Sequence, residues 1–364
     1  MNAEPLLYAR IAPPAGAPET AAELRLEPEP GRGWTPSPED WRDQVLYSIV
    51  LDRFARSERG RASGDPADGR SRHGGDLPGA LERLGYVAAT GATALLLTPV
   101  TQTVPEAYHG YAPVHLLGVD PHLGTMGDYR RLVRAAHARG LAVVQALVLG
   151  HAGPVFEYRA GGAWDGGRVK PLARWTRALR PLELNAPEHF CRKGAITNWD
   201  DARQAVDGDF PPDYRSFDTA RLRTQELLIR CALWWIKEGD LDGLRLDAVR
   251  HLDPSFLERF CREVRAYAAR LGKTNFLLLG ENSTGRDEEL KPHLEPLDTV
   301  YHYPAFRRDG LALRGQAPTR ELELSQLRAR ETLGEPASRL LRFIDLHDTY
   351  RFLRPSQPVV LLKM

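Results

Sequence analysis

The stretch Gly243-Leu244-Arg245-Leu246-Asp247 decides the fold of this chain. We interpret it as a β-strand, whose side chains alternate between two faces, so that Arg245 and Asp247 point the same way and the two leucines the other. A guanidinium and a carboxylate in an otherwise apolar strand cost desolvation energy unless they pair with each other, with neighbours or with a ligand. For this pentapeptide alone, the alternatives to a functional site are a buried ion pair and a strand end in solvent.

The composition of the 364-residue chain, 42% hydrophobic and 27% charged, is that of a globular protein with one large barrel or two medium domains. Its 49 basic and 48 acidic residues almost balance, so we expect no nucleic-acid partner.

The spacing of Cys191, Cys231 and Cys261 fits neither a disulfide framework nor a metal site, which favours a reducing, cytoplasmic compartment. No charged-then-apolar leader opens the chain, and no apolar run reaches the ~18 residues that span a bilayer. We therefore expect no membrane association.

Short apolar runs alternate with amphipathic stretches from residue 45 onward, a pattern typical of parallel strands linked by helices. The strand candidates are 45–50, 94–97, 141–148, 241–247, 275–280, 299–303, 341–344 and 358–362. The helix candidates are 79–87, 127–139, 219–238, 254–271 and 319–332. Eight such units predict an α/β protein with a (β/α)₈ TIM barrel.

Two segments lie outside this repeat. Residues 1–40 are rich in proline, glycine and glutamate, and we interpret them as an extended, loosely packed arm, with room for a short strand at 5–11 or 22–27. Residues 150–217 show no sustained period and are too long for an ordinary connection, which indicates a small domain inserted after strand three. The barrel itself then comprises residues 41–149 and 218–364.

Charged and polar side chains follow several of the predicted strands, where a barrel of this kind carries its reactive groups. They are Asp247, Glu281, Asp348, His151 and His347. Two carboxyl groups about 5 Å apart serve as nucleophile and general acid in retaining glycosidases. Arg245 would favour the ionised form of Asp247, and the apolar strand before Glu281 suits an acid that keeps its proton. For Glu281 alone, a surface acid at a loop edge is the alternative.

Four stretches resemble, in order, the sequence regions of the alpha-amylase family, glycoside hydrolase family 13. They are Tyr108-His109-Gly110-Tyr111 with the following 119–125, residues 243–251, Leu279-Gly280-Glu281-Asn282, and residues 343–352. The resemblance covers residues 43–352 and implies a (β/α)₈ barrel with a small domain after strand three. It also implies retaining hydrolysis of α-glucosidic bonds in α-glucans or oligosaccharides.

The resemblance assigns roles to individual residues. It implies that Asp247 is the nucleophile, Glu281 the acid/base, and Asp348 the group that binds the 2- and 3-hydroxyls of the sugar and stabilises the transition state. The residues that it places around the sugar are Tyr111, His109, His151, Arg245, Arg250, His251 and His347, with Arg250 and His251 towards the leaving group.

The sequence departs from the family pattern in three positions. Ala146 replaces an aspartate that supports the arginine and the nucleophile, so we expect Arg245 to be held less firmly. Gly150 replaces an asparagine that binds calcium, and a glycine offers only its carbonyl, so we expect no calcium there and no other cofactor. Leu346 replaces an asparagine. Because the chain ends soon after Arg351, we expect a barrel shortened at its carboxyl end, or a cut chain.

These departures leave other functions open. One is a non-catalytic amylase-like protein that binds α-glucan or a partner, and another is a transglycosylase or isomerase that uses the same covalent intermediate. Three tryptophans of the inserted segment, Trp164, Trp175 and Trp199, are candidates for stacking on sugar rings or for the core of the small domain. The sequence does not indicate the linkage, the chain length of the substrate or the oligomeric state.

Overall fold

A computed structural model describes residues 13–58, 60, 64–65, 67–211, 213–349 and 351–352. The chain divides into two compact units, and the division falls between Leu277 and Leu278. Within the described residues, no helix is both long enough and apolar enough to cross a membrane.

The described residues of the first unit form ten strands. They are β1 (Leu46–Ile49), β2 (Ala94–Leu97), β3 (Thr101–Thr103), β4 (Pro113–Val119), β5 (Ala142–Leu147), β6 (His151–Ala152), β7 (Phe156–Tyr158), β8 (Leu172–Trp175), β9 (Arg215–Ser216) and β10 (Gly243–Leu246). Four of them form a parallel sheet in the order β1, β2, β5, β10. All four residues of β2 are buried, as expected for a parallel strand covered on both faces.

Helices follow these strands, as the alternating pattern predicts. They are α1 (Leu51–Phe54), α2 (Leu77–Glu82), α3 (Leu84–Ala89), α4 (Met126–His137), α5 (Ala202–Asp207), α6 (Leu222–Gly239) and α7 (Pro254–Arg270). A capping box of Thr125 and Asp128 begins α4, and Asp253 caps α7 ahead of Pro254. The single helix predicted at 79–87 is wrong, because Arg83 leaves helical geometry between α2 and α3.

The inserted segment begins and ends on a strand pair, since β6 lies antiparallel to β9 with His151 opposite Ser216. Within it, β7 and β8 form an antiparallel hairpin that places Phe156 opposite Trp175. Rings of Phe156, Trp175 and Phe190 contact one another edge to face at 5.1–5.8 Å between centroids. An aromatic core of this kind gives the segment apolar packing despite its lack of a sequence period.

The amino-terminal segment is held more firmly than its composition suggests, and the expectation of loose packing is wrong for its described part. Residues 21–23 form a 3-10 helix in place of the strand considered at 22–27, and Leu24 is 5% exposed. Lys237 Nζ and Tyr267 Oη donate hydrogen bonds to the carbonyls of Arg25 and Leu26 at 3.0 and 2.6 Å. These donors from α6 and α7 supply the hydrogen bonds that the carbonyl groups of this non-strand segment need.

The second unit contains β11 (Leu277–Gly280), which starts at the last residue of the first unit, and β12 (Thr299–Val300), paired in parallel. Two helices follow, α8 (Tyr303–Leu313) and α9 (Arg320–Leu333). The predicted strand 299–303 is shorter than expected because α8 begins at Tyr303, and Pro304 in its first turn is a helix-start signal that the prediction missed.

Three further strand candidates do not form strands in the described residues or lie outside them. Leu341 forms only an isolated bridge with Tyr301, and Ile344 is 47% exposed, so the predicted seventh strand at 341–344 is wrong. The candidate at 358–362 and the one at 5–11 lie outside the described residues.

Candidate active site

The end of β10 presents the predicted ion pair. Arg245 Nη1 lies 2.5 Å from Asp247 Oδ1, and the arginine side chain is 1% exposed against 13% for the aspartate. The backbone N–H of Asp247 donates to the carbonyl of Leu147 in β5 at 3.0 Å. Ala248 then adopts a left-handed conformation, with φ 48°, and turns the chain into a 3-10 helix at Val249–His251. A guanidinium at this distance favours an ionised carboxylate at the strand end.

Two residues of the first motif lie beside this ion pair. The guanidinium carbon of Arg245 lies 5.5 Å from the centroid of the Tyr111 ring. His109 stacks on the same ring at 5.8 Å, with its Nδ1 accepting a hydrogen bond from the backbone N–H of Tyr111 at 3.0 Å. The structure therefore brings Tyr111, His109 and Arg245 together, as the sequence predicts.

His151 is 2% exposed, and its Nε2 donates to the carbonyl of Tyr111 at 3.0 Å. Burial lowers the pKa of His151 to about 4, because a buried imidazolium loses its hydration, and the nearby His251 and His109 add to the effect. The ring is therefore neutral near pH 7. Its Nδ1 has no hydrogen-bond partner among the described residues. With Nε2 carrying the proton, Nδ1 is available to accept a hydrogen bond.

The inserted segment supplies an aromatic wall next to His151 that sequence reasoning missed. Tyr214 stacks on the His151 ring with centroids 4.9 Å apart, and Phe210 contacts both His151 and His251 at 5.1 and 4.4 Å. Burial and the charge of Asp247 raise the pKa of Tyr214. No period or motif marks these residues, so only the fold reveals them.

Arg250 and His251 bind the inserted segment. Arg250 Nη2 donates to the carbonyl of Trp199 at 2.9 Å, and His251 Nδ1 forms a short hydrogen bond with the carbonyl of Ala205. Burial lowers the pKa of His251 to about 4, so this ring is also neutral near pH 7. Their placement on the leaving-group side of a sugar stays a prediction.

The three tryptophans of the inserted segment have different surroundings. Trp175 packs in the aromatic core of that segment, and Trp164 is half-buried. Trp199 is 45% exposed and contacts the His251 ring edge to face at 5.7 Å. Of the three, Trp199 therefore offers the most surface for stacking.

The departures from the family pattern have visible consequences. Ala146 is opposite Arg245 in the pairing of β5 and β10 and is 1% exposed. The carbonyl of Gly150 accepts the N–H of Phe217 at 2.9 Å, and a Cβ built at Gly150 would lie 3.3 Å from the apolar Cδ2 of Leu252. The described residues contain no cluster of three His, Cys, Asp or Glu side chains suited to a metal ion. Gly150 therefore offers no side-chain oxygen to a calcium ion, and the expected absence of calcium stays a prediction.

In the second unit, Glu281 directly follows β11 and is half-buried. Tyr303 Oη donates to Glu281 Oε1 at 3.4 Å. The next residue, Asn282, is 2% exposed, and its Nδ2 donates to the carbonyl of Glu289 at 3.1 Å. Glu281 is thus fixed at the end of its strand, as the sequence predicts for a strand-end acid.

His347 and Asp348 lie together in a turn of the second unit. His347 Nε2 lies 3.0 Å from Asp348 Oδ2, and the side chain of the aspartate is 49% exposed. Leu346, at the position of the family's asparagine, is 4% exposed and turns its side chain inward. The predicted residues around Asp247 thus lie in the first unit, while Glu281 and the pair of His347 and Asp348 belong to the second unit. Their catalytic and binding roles stay predictions.

Comparison with known proteins identifies what the chain resembles. The family model described as "Alpha amylase, catalytic domain" matches residues 48–304. Neopullulanase 2 of Thermoactinomyces vulgaris is 29% identical over 331 residues, which cover 87% of this chain and 52% of that protein. The beta/alpha-amylase of Paenibacillus polymyxa is 28% identical over 276 residues, 73% of this chain and 21% of that protein.

The chain is also similar in structure to a solved alpha-amylase. The alpha-amylase from Geobacillus thermoleovorans, solved in complex with acarbose, matches with a TM-score of 0.71 and 30% identity. The match covers 86% of this chain and 64% of that one. The chain thus spans about half the length of the neopullulanase and about a fifth of the beta/alpha-amylase. These matches confirm the predicted fold class, a (β/α)₈ barrel of the alpha-amylase type, of which the described residues form a part.

Proposed function

The chain belongs to the alpha-amylase family, and on that premise we propose that it is a retaining glycoside hydrolase that cleaves α-glucosidic bonds in α-glucans or oligosaccharides. The observation that carries the proposal is the contact of Arg245 with Asp247 at the end of β10, beside the ring of Tyr111. Nucleophilic attack on a sugar requires an ionised carboxylate. The aromatic face beside it suits stacking on the sugar ring.

The reaction has two steps. In the first, a carboxylate oxygen of Asp247 bonds to the anomeric carbon while the bond to the leaving-group oxygen breaks, and Glu281 transfers its proton to that oxygen. In the second, Glu281 takes a proton from water, the water oxygen bonds to the anomeric carbon, and Asp247 leaves as a carboxylate. Asp348 binds sugar hydroxyls and stabilises the transition state.

The remaining residues bind the substrate. Tyr111 stacks on the sugar at the cleavage point, while His109, His151, Arg245 and His347 bind its hydroxyl groups. The neutral ring of His151 supports this role, because its Nδ1 accepts a hydrogen bond from a hydroxyl without a change of protonation. Arg250 and His251 lie towards the leaving group. No step of this mechanism uses a metal ion.

Hydrolysis of maltooligosaccharides by the wild type and by Asp247→Asn tests the proposal. We expect measurable wild-type turnover, loss of nearly all of it in the variant, and a product whose anomeric configuration, followed by NMR, matches that of the substrate. An inverted product would contradict the retaining mechanism.

A non-catalytic, glucan- or partner-binding protein is the second candidate, and Ala146 opposite Arg245 favours it because the arginine lacks the family's carboxylate at that position. Equal, background-level rates in the wild type and in Asp247→Asn would leave only this binding function. Binding of maltoheptaose by both proteins, measured as a binding isotherm, would then support the binding function.

A transglycosylase or isomerase is the third candidate, since it shares the covalent intermediate and differs only in what attacks it. The exposed ring of Trp199 beside His251 favours it, because a stacking surface near the leaving-group side holds a sugar acceptor. Products longer than the substrate at high acceptor concentration would identify transfer. The proposal includes a cytoplasmic location, which the spacing of the three buried cysteines supports, since it does not suit a disulfide framework.

A further inference from the structure

Tyr303 contacts the proposed acid/base from a neighbouring element of the second unit. Its phenol oxygen donates to Glu281 Oε1 at 3.4 Å, and the tyrosine is 5% exposed. The glutamate follows β11, while Tyr303 begins α8 three residues after β12. Because Gly280 and Val300 pair in these two strands, the contact is made between parts of the chain with a fixed register.

The ring of Tyr303 is held by other aromatic side chains. Phe343 meets it at 5.0 Å with an interplanar angle of 75°, and Tyr301 and Phe306 lie at 6.3 and 6.5 Å. Edge-to-face packing on several sides restricts rotation of a buried ring. The hydroxyl group therefore has a defined position.

One 3-10 helix, Asp287–His293, braces the backbone on both sides of the contact. Asn282, the residue after the glutamate, donates from Nδ2 to the carbonyl of Glu289 at 3.1 Å. His302, the residue before the tyrosine, bonds through Nε2 to Asp287 Oδ1 at 2.6 Å. The same short helix thus fixes the donor and the acceptor.

We infer that Tyr303 is a positioning residue for Glu281, holding the plane of its carboxyl group so that Oε2 presents the proton to the leaving-group oxygen in a constant direction. The inference rests on the proposed function of Glu281 as acid/base. Proton transfer depends on orientation of the acid as well as on distance, and a group locked by neighbouring hydrogen bonds and packing is effective in this respect.

The variant Tyr303→Phe removes the hydroxyl and keeps the ring, so its effect should depend on the leaving group. We expect kcat/KM for maltooligosaccharides, whose sugar leaving group needs a proton, to fall by about tenfold or more. For α-maltosyl fluoride, whose leaving group needs none, we expect a change of less than about threefold. The matched control is Tyr301→Phe, which removes a hydroxyl from the same aromatic cluster and should preserve both values.

Equal losses of kcat/KM on both substrates would mean that Tyr303 contributes only to the fold. Unchanged kcat/KM on both substrates would mean that it contributes neither to the fold nor to catalysis. Each result overturns the inference. A second measurement, which needs no catalysis, is an NMR spectrum of the chain with its tyrosines labelled with ¹³C at Cζ. Replacing Glu281 with alanine should shift the Tyr303 resonance, assigned through Tyr303→Phe, and leave that of Tyr301 in place.

These measurements distinguish a failure of the proposed glycoside hydrolase function from a failure of the positioning role of Tyr303. If the wild-type chain turns over neither substrate, the proposed function fails, and a shifted Tyr303 resonance still establishes the contact with Glu281. If the wild type is active and the resonance does not move, the positioning role fails while the proposed function stands.

Discussion

Ala146 is paired with Arg245 across two parallel strands, at the position where the alpha-amylase family has an aspartate. Residues in register on neighbouring parallel strands point to the same face, so a side chain at 146 is well placed to hold the arginine. Asp247 Oδ1, at 2.5 Å from Nη1, contacts the same guanidinium from the residue that follows β10. The position opposite Arg245 is therefore the most direct place to test how firmly the ion pair is held.

Ala146→Asp should raise kcat for maltooligosaccharides by about tenfold, since a second carboxylate would restrict the guanidinium that orients Asp247. Steady-state kinetics at pH 7 measures the change. Ala146→Asn is the matched control, because it has nearly the same shape and no charge. An aspartate variant no faster than the asparagine variant would show that Arg245 needs no further support.

Arg245→Leu should destabilise the chain by about 3 kcal/mol, since it leaves a carboxylate with little exposure beside an apolar side chain. The free energy of unfolding in urea measures this loss. In the double variant Arg245→Leu with Asp247→Leu, most of the loss should disappear, because no uncompensated charge remains. Additive losses in the double variant would mean that the two charges do not interact.

The low pKa of His151 makes stability depend on pH. The buried ring has a pKa of about 4 against 6.5 when exposed, so the unfolded chain takes up a proton first as the pH falls. The stabilisation is complete above pH 6.5 and is lost as the pH falls towards 4. Between pH 7 and pH 5 we expect this histidine to account for a loss of about 2 kcal/mol.

Urea unfolding of the wild type and of His151→Gln at both pH values isolates this contribution. His115 and His251 also have pKa values lowered by burial, so the wild type alone would not separate them. The variant should lose less stability than the wild type on acidification. An identical pH dependence would show that His151 is protonated in the folded chain as readily as in the unfolded one.

Calcium should leave the melting temperature of the wild type unchanged to within about 1 °C, because a ligand stabilises only a folded state that binds it. The physical reason is the lack of a side-chain oxygen at Gly150, whose carbonyl already accepts the N–H of Phe217. Thermal melts with excess calcium and with a chelator measure the effect. A rise that grows with calcium concentration would contradict the prediction.

Tyr267→Phe should destabilise the chain by about 1 kcal/mol, since it removes the donor to the carbonyl of Leu26. Hydrogen exchange should speed up in the amino-terminal segment near Leu26 before it does elsewhere. Tyr86→Phe, at a side chain that is 58% exposed, is the control and should change neither quantity. Unchanged exchange near Leu26 in Tyr267→Phe would mean that other contacts hold this segment.

The regular part of the fold could be predicted because it depends on local pattern. The apolar stripe predicted on 219–238, which includes Leu227, Cys231 and Trp235, is buried in α6. The alternation along residues 243–247 likewise predicted that Arg245 and Asp247 lie on one face. At Tyr303 the same reasoning extended a strand into a helix, because it missed the helix-start signal of Pro304.

The sequence by itself determined the parallel strands β1, β2, β5, β10 and β11, the barrel class, and the positions of Asp247 and Glu281 at strand ends, because periodicity and short motifs carry that information. Only the tertiary structure decided what surrounds those residues: Tyr214 against His151, Tyr303 on Glu281, and the carbonyls of Arg25 and Leu26 bound by α6 and α7. Each of these contacts joins two groups that are distant from each other in the chain. Their formation depends on the way the chain packs, which no local pattern encodes.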